Sequence, residues 1–295
     1  MIDIKAQIKQ SAKQTEALLE SLCHDRDKEL QDLFDAERYS LLGGGKRIRP
    51  FIVNEICRAL GGDVDVSAYY GAALEMIHTY SLIHDDLPCM DDDDMRRGKP
   101  TNHKVFGYST ALLAGDALLT KAFLVAASNP KGSEAQNAEA VRLIAEAAGE
   151  CGMIGGQIID LSGESRRLDF ETLLRLHRLK TGALIRCAAA LGAIGAGYGR
   201  DTKEYAEAIA YADGVGLAFQ VIDDILDATG TEAELGKSIG SDAERGKTTF
   251  LSYFDVEGAL AYAEKLTEDA VRSISEWQNA QTLTELAYYL TNRKN

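Results

Sequence analysis

Proline is scarce in this sequence of 295 residues, with only four, at positions 50, 88, 100 and 130. Because proline interrupts helices, long stretches of the chain can be helical without a break. Strand signals are also nearly absent, since β-branched residues rarely alternate between turn pairs. Apolar residues instead recur at helical spacing, as at Ile209, Ala212, Val215 and Phe219. The sequence therefore predicts an all-α protein.

Cysteine is sparse as well: the five cysteines, an odd number, are scattered with no CxxC pair. This distribution argues against a disulfide framework or a zinc site and indicates free thiols in a reducing compartment. The first twenty residues carry charges throughout and lack the apolar core of a signal peptide. The longest apolar run, 187–197, is too short to cross a bilayer. We expect a cytoplasmic protein with no membrane span.

Basic residues are too few to balance the acids, with 32 against 46 and a net charge of −14. Nucleic acid and anionic lipid are therefore poor candidates for partners. An anionic ligand would have to meet a local basic cluster or a metal ion.

The helical pattern breaks only at short glycine-rich turns, such as 43–45, 61–63 and 129–132. None of these is long or polar enough to link two domains, and no repeat of fixed period is present. We therefore predict a single domain covering residues 1–295. Its helices are predicted over 4–22, 27–41, 50–60, 67–87, 109–127, 135–150, 169–197, 202–228, 255–278 and 281–291.

Two acidic clusters are candidates for chemistry, one over 84–94 and one over 223–227. On a helix, Asp223 and Asp227 share a face, and Gln220 lies one turn earlier. Pro88 would clash with the carbonyl of residue 84, so the first cluster requires a local distortion. Two facing aspartate-rich helices would suit Mg²⁺ bridging carboxylates to a diphosphate.

The alternative is that both clusters are solvated helix faces, the usual role of an isolated acidic stretch. The second cluster, however, lies between apolar residues at 217–222 and 225–226. Burying unpaired carboxylates is costly, and a metal ion resolves that cost.

Basic residues occur near both clusters. The loop 43–50 combines three glycines with Lys46, Arg47 and Arg49, although its spacing is not that of a Walker A loop. Glycines and cations at a helix start suit phosphate oxygens. Arg96 and Arg97 directly follow the first cluster. Other candidate cations, each of which could be ordinary surface if taken alone, are Lys180, Lys237 and Lys247.

Taken together, these motifs resemble the trans-isoprenyl diphosphate synthases, and among them the bacterial farnesyl diphosphate synthases. The resemblance covers nearly the whole chain, from the loop at 43–50 to the tail at 293–294. Its most specific parts are 84–91 with 96–101, 219–227, and 237–242 with 247–249.

The resemblance implies a single large helical bundle around a deep central cavity, usually as a homodimer, that condenses isopentenyl diphosphate with an allylic diphosphate. It also implies three Mg²⁺ ions. Asp85 and Asp91 match the residues that bind two of them, and Asp223 matches the residue that binds the third. The supporting acids would be Asp86, Asp224 and Asp227.

The same resemblance assigns the substrate contacts. The residues that match the isopentenyl diphosphate pocket are Lys46, Arg49, His78 and Arg97. Those that match the groups gripping the allylic diphosphate are Arg96, Lys180, Lys237 and Lys247. Thr181 and Gln220 match positions that face the developing allylic cation, so the catalytic set comprises Arg96, Lys180, Thr181 and Gln220.

Product length in this family depends in part on the residues four and five positions before the first aspartate, here Ser81 and Tyr80. A tyrosine ring at the cavity floor should stop the chain near fifteen carbons, which predicts farnesyl diphosphate. Tyr80 could equally be an ordinary core aromatic residue.

Several alternatives stay open. A geranylgeranyl diphosphate synthase would use the same chemistry with a deeper pocket. A class I terpene cyclase would normally carry an Asn/Ser/Glu motif in place of 223–227, and an inactive subunit or metal-binding module should have lost part of the motif set. Helical spacing favours Asp92 as the partner of Asp85, whereas the family match favours Asp91, which we adopt.

Overall fold

The protein is built almost entirely from helices. The structure, a computed structural model, describes residues 2–23, 27–164, 166–229 and 246–292. Its α-helices are α1 (Ile4–Leu22), α2 (Gln31–Leu41), α3 (Ile48–Ala59), α4 (Val64–Asp85), α5 (Asn102–Phe106), α6 (Tyr108–Ala127), α7 (Glu134–Ala148), α8 (Met153–Gly163), α9 (Phe170–His177), α10 (Ala183–Gly195), α11 (Lys203–Thr229), α12 (Val256–Ser273) and α13 (Gln281–Thr291).

Shorter elements complete the described chain. Two 3₁₀ turns cover Lys28–Leu30 and Phe250–Ser252, and a π-helical turn covers Arg178–Gly182 between α9 and α10. The strands β1 (Met95–Arg96) and β2 (Lys99–Pro100) form a small antiparallel hairpin, with Met95 opposite Pro100. The all-α prediction is confirmed. The helices α5 and α8 were not predicted, and the helix predicted over 67–87 begins at Val64 and ends at Asp85.

Helix starts follow from the local sequence. Asp3, Asp63, Asp169 and Asp255 each accept a hydrogen bond from a backbone N–H of the first helical turn. Ser133 forms a capping box with Gln136 at the start of α7. Such caps satisfy donors that have no partner within the helix, so they fix where each helix begins.

The helices α4 and α10 lie at the centre of the core, because both are buried on nearly every side. Tyr70 and Leu74 of α4 and Leu191 of α10 are completely buried in the main apolar cluster. A second cluster joins α9, α11 and α12 around Val221 and Phe250. Since α11 contributes to both clusters, its acidic residues are held between two packed layers.

The helix α6 is long and apolar enough to span a membrane by length and composition alone, although only 39% of its most apolar window is buried. Asp116 and Lys121 interrupt it, which is why no long apolar run is visible in the sequence. One such helix is weak evidence for a span, since core helices pass the same test. In this protein α6 packs against α4, α2 and α7.

Candidate active site

The first acidic cluster lies where α4 ends and the chain reverses. The helix stops at Asp85, and beyond it the N–H of Asp91 donates to the carbonyl of Asp85 at 2.8 Å. The N–H of Asp92 donates to the carbonyl of Leu87 at 3.2 Å, and Asp92 has a left-handed φ of 53°. Pro88 lies within this turn, so the predicted distortion is present. The helical spacing that favoured Asp92 does not apply, because the helix has already ended.

The turn gives Asp91 and Asp92 different neighbours. Burial raises the pKa of Asp85 to about 6, the nearby charge of Asp91 adds to the effect, and Lys180 opposes it. Asp92 instead lies beside Asp94 and His103, with one carboxylate oxygen of each acid and a ring nitrogen of His103 within 4.8 Å of one another. Asp91 is therefore the acid that shares its electrostatic environment with Asp85.

Asp86 is held by an arginine of the hairpin. The Nε of Arg96 donates to both carboxylate oxygens of Asp86, at 2.7 and 2.9 Å, and its Nη2 lies 2.5 Å from Oδ1. In this ion pair the guanidinium balances the charge of the buried carboxylate of Asp86, and its position beside the first cluster is fixed. The two residues were assigned to separate roles, metal support and diphosphate binding, but in this structure they form one unit.

The second cluster lies along α11. Asp224 and Asp227 are buried, each 3% exposed, whereas Asp223 is partly exposed. Asp224 accepts hydrogen bonds from the Nε2 of Gln220 at 3.0 Å and from the backbone N–H of Phe250 at 2.8 Å. These bonds give the buried carboxylate oxygens hydrogen-bond partners. Asp223 is thus the more accessible acid of the cluster.

Thr181 and Gln220 are joined by a hydrogen bond across the site. The hydroxyl of Thr181 donates to Oε1 of Gln220 at 3.1 Å. Because the amide nitrogen of Gln220 donates to Asp224, its amide oxygen is directed toward Thr181. The hydroxyl proton of Thr181 is used in this bond, so the lone pairs of its oxygen remain available to an electron-poor group.

Two polar residues that the sequence analysis missed bond to predicted site residues, and both lie on α8. The Nε2 of Gln157 donates to Oδ1 of Asp85 at 2.7 Å. Oδ2 of Asp160 accepts from Nζ of Lys180 at 2.5 Å and from Nζ of Lys247 at 2.9 Å. Burial opposes ionisation of Asp160, but the two lysines outweigh it and lower its pKa. The helix α8 thus brings two of the predicted lysines to one carboxylate.

Glycine explains why α8 was missed. Its sequence contains glycines at 155, 156 and 163, which lower helix propensity. Gly156 has a packing role, because a Cβ there would lie 2.3 Å from the backbone nitrogen of Lys180. The residue that weakens the helical signal therefore allows α8 to approach the π-turn. One usable signal was Asp160 itself, an acid in the apolar run 158–161.

A concentration of positive charge surrounds His78 on α4. The pKa of His78 lies well below its ordinary value, first because of burial and then because of Arg49, Arg97, Arg96 and Arg47. Burial also lowers the pKa of Arg49, whose Nε is buried without a hydrogen-bond partner among the described residues. In a protein with a net charge of −14, this region has the charge and the unsatisfied donor that an anion requires.

The glycine loop positions the remaining cations. Arg97 donates to the carbonyl of Gly44, and its guanidinium packs where a Cβ at Gly45 would lie. Lys46 is exposed, with Nζ 5.6 Å from the ring centroid of Tyr289 on α13. Arg47, by contrast, is buried and bonds to Glu75 at 2.7 Å, so it supports the loop.

The residues assigned to product length lie one turn before Asp85. Tyr80 is 5% exposed, and its hydroxyl is buried without a hydrogen-bond partner in the described chain. Its ring meets the ring of His84 edge-on at 5.7 Å. The hydroxyl of Ser81 donates to the carbonyl of His78 at 2.9 Å. Lys237 lies outside the described residues.

Comparison with known proteins identifies the class. Residues 30–288 match the family model for polyprenyl synthetases, so the chain belongs to that family. Geranylgeranyl diphosphate synthase of Cyanophora paradoxa is 45% identical over 266 residues, covering 89% of this chain and 88% of the relative. Farnesyl diphosphate synthase of Haemophilus influenzae is 42% identical over 262 residues, covering 89% of each chain.

Solved structures agree with the fold. An FPP/GFPP synthase from Zymomonas mobilis superposes with a TM-score of 0.87 at 36% identity, covering 98% of this chain and 99% of the other. A geranylgeranyl pyrophosphate synthetase from Pyrococcus horikoshii gives a TM-score of 0.87 at 31% identity, with 99% of each chain covered. The protein is a prenyltransferase of a magnesium-dependent family that uses isopentenyl and allylic diphosphates.

Proposed function

We propose that this prenyltransferase makes farnesyl diphosphate by adding isopentenyl diphosphate to dimethylallyl and then geranyl diphosphate. The observation that carries the proposal is the arrangement around α8 and the π-turn. There, Gln157 bonds to Asp85, and Asp160 bonds to Lys180. The next residue, Thr181, bonds to Gln220.

Three Mg²⁺ ions fit the acids of this site. The pKa of Asp85 is raised first by burial and further by the nearby carboxylates of Asp91 and Asp86. Grouped carboxylate oxygens are the donor set that a hard cation prefers. Asp85 and Asp91 would bind two ions, Asp223 would bind the third, and Asp86, Asp224 and Asp227 would support them. Bound Mg²⁺ would stabilise the negative charge of the departing diphosphate.

The chain's own groups then act on the two substrates. Arg96, Lys180, Lys237 and Lys247 hold the allylic diphosphate, and the cations around His78 hold isopentenyl diphosphate. The oxygens of Thr181 and Gln220 stabilise the allylic cation through fixed dipoles. The released diphosphate takes the proton, so no protein base is required. A site closed to water protects the cation from hydrolysis.

We propose a product of fifteen carbons because of Tyr80. Its ring near the end of α4 would form the cavity floor and stop the chain at that length. A twenty-carbon product is the second candidate, since geranylgeranyl diphosphate synthases are among the relatives at 45% and 46% identity. Incubating the protein with Mg²⁺, isopentenyl diphosphate and geranyl diphosphate separates the two. A fifteen-carbon product that is lost with EDTA supports the proposal, and a twenty-carbon product contradicts the assignment of Tyr80.

The Mg²⁺ concentration that the enzyme requires should vary with pH, because Asp85 must be ionised to bind the ion. Its pKa of about 6 means that protons compete with the cation below that value. At pH 5 about one Asp85 in ten is ionised, so the Mg²⁺ concentration for half-maximal activity should be roughly tenfold higher than at pH 7. Steady-state rates across a Mg²⁺ series at each pH measure this, after correction for Mg²⁺ binding to free diphosphate. A pH-independent half-saturation point would contradict the assignment.

We further propose a homodimer that buries an exposed apolar face of α6. Leu113 and Leu124 are 56% and 65% exposed, and their spacing of eleven residues places them on one side of the helix. Changing both to glutamate should give a monomer in analytical ultracentrifugation. Leu260→Glu on α12, where the leucine is 45% exposed, is the matched control and should leave the dimer intact. A monomeric wild-type protein would rule out the dimer.

We also propose a cellular compartment and a domain organisation. The free thiols of Cys57, Cys89, Cys151 and Cys187 support action in the reducing cytoplasm. A single domain is supported by α11, which packs into both apolar clusters.

A further inference from the structure

A second cavity lies outside the candidate active site. Its volume is about 710 Å³, and it is bordered by α7, α9, the π-turn, α10, α11 and the start of α8. This volume falls within the range of about 300–1,000 Å³ that is typical of small-molecule sites. None of the residues assigned to catalysis or substrate binding lines it. We call it the arginine groove.

The groove combines an apolar wall with a positive rim. Leu143, Leu174, Leu179 and Ile209 form part of the wall. Exposed arginines at 175, 178, 186 and 200 form the rim, accompanied by the acids Glu146 and Glu171.

Two of the rim arginines form no close ion pair, although the charge of Arg178 acts on Asp213 at longer range. Arg200 bonds to Glu139 and Glu146 at 2.7 Å each, and Arg186 lies 3.2 Å from Asp213. Arg175 and Arg178 have no carboxylate within 4.0 Å in the described part of the chain. Arg175 and Arg178 are three residues apart on a continuous helical segment, so their side chains are neighbours on its surface. Two neighbouring guanidinium groups suit a diphosphate, which can accept hydrogen bonds from both. The apolar wall suits a hydrocarbon chain attached to that diphosphate.

We propose that the arginine groove binds a linear prenyl diphosphate, the product class of this enzyme, as a second site that slows turnover. The proposal rests on the proposed function for the identity of the occupant. The diphosphate would lie between Arg175 and Arg178, and the prenyl chain would lie along the wall of α7, α9 and α11. A simple anion would leave the apolar wall uncovered.

The π-turn connects the groove to the active site. Arg178 and Leu179 border the groove, while the next two residues bond to the site, Lys180 to Asp160 and Thr181 to Gln220. Such turns are rare and often occur at functional positions. The backbone of Lys180 packs closely against Gly156, so the turn cannot shift toward α8 without moving that helix. A ligand that moves Arg178 would therefore disturb the ammonium and hydroxyl that face the substrate.

Thiol protection can locate the occupant without turnover. Cys151 is exposed and lines the groove, whereas Cys89 is exposed in the turn after α4. The probe is farnesyl thiodiphosphate, an unreactive analogue, added in EDTA so that the metal-dependent site is not filled. Iodoacetamide labelling read by mass spectrometry should slow at least fivefold at Cys151 and remain unchanged at Cys89. Equal labelling of Cys151 with and without the probe would overturn the proposal.

Variants of the rim test the assignment. Arg175→Gln with Arg178→Gln should weaken probe binding in EDTA at least tenfold, while Arg272→Gln, an exposed arginine on α12, should have no effect. The double variant should also lose the part of inhibition by the probe that is not competitive with substrate. Unchanged binding, or inorganic diphosphate binding as tightly as the probe, would overturn the proposal. The titration requires no catalysis, so its failure would leave the proposed function standing.

Discussion

Replacing Asp91 by asparagine is expected to lower kcat/KM by about 10³, equivalent to roughly 4 kcal/mol of transition-state stabilisation. Asp91 follows the reversal at Pro88 and contributes to the raised pKa of Asp85. Removing its charge would leave Asp85 without its partner acid for holding cations beside the diphosphate. Steady-state kinetics with saturating Mg²⁺ measure the loss.

Asp92→Asn is the matched control, because the two residues are adjacent and undergo the same chemical change. Asp92 lies beside Asp94 and His103, so its variant should keep activity within about threefold. The reverse pattern, with Asp92→Asn inactive and Asp91→Asn active, would show that helical spacing identified the acid correctly and that the family match did not. Circular dichroism of both variants excludes unfolding as the cause.

Tyr80→Ala should change the main product from fifteen to twenty or more carbons. The ring is 5% exposed at the end of α4, one turn before Asp85, and its removal would open space below the site. Alanine there also leaves a cavity in a packed region, so a loss of about 3 kcal/mol in stability is expected. Chromatography of dephosphorylated products against prenyl alcohol standards measures the chain length.

The control for that experiment is Tyr80→Phe, which removes only the hydroxyl. That hydroxyl is buried without a partner in the described residues, so phenylalanine should be tolerated and the product should remain at fifteen carbons. A longer product from Tyr80→Phe would assign the role to the hydroxyl. An unchanged product from Tyr80→Ala would remove Tyr80 from the floor of the cavity altogether.

Spacing and local chemistry were sufficient to predict several parts of the site. Helical spacing places Gln220 one turn before the acids of α11, where its amide bonds to Asp224, and the clash of Pro88 predicts a break after α4. These features depend only on helix geometry and on the proline ring. The all-α fold followed in the same way from the recurrence of apolar residues.

Contacts between distant segments could not be predicted. The pairing of Arg96 with Asp86 depends on a two-residue hairpin that brings the guanidinium back onto the helix end. The bonds from Asp160 to Lys180 and Lys247 join residues up to 87 positions apart. Asp160 also lies on α8, whose glycines allow close packing but lower its helix propensity.

The carboxylate of Asp160 also shapes how a substrate would enter. With Lys180 and Lys247 both bonded to it, the two long side chains are already ordered before any substrate arrives. If the proposed diphosphate site is correct, binding would exchange one anion for another, and the two side chains would lose little further rotamer entropy. Two ammonium groups without this carboxylate would repel each other and spread into solvent. In the proposed site, Asp160 would therefore hold the two ammonium groups together until a diphosphate binds.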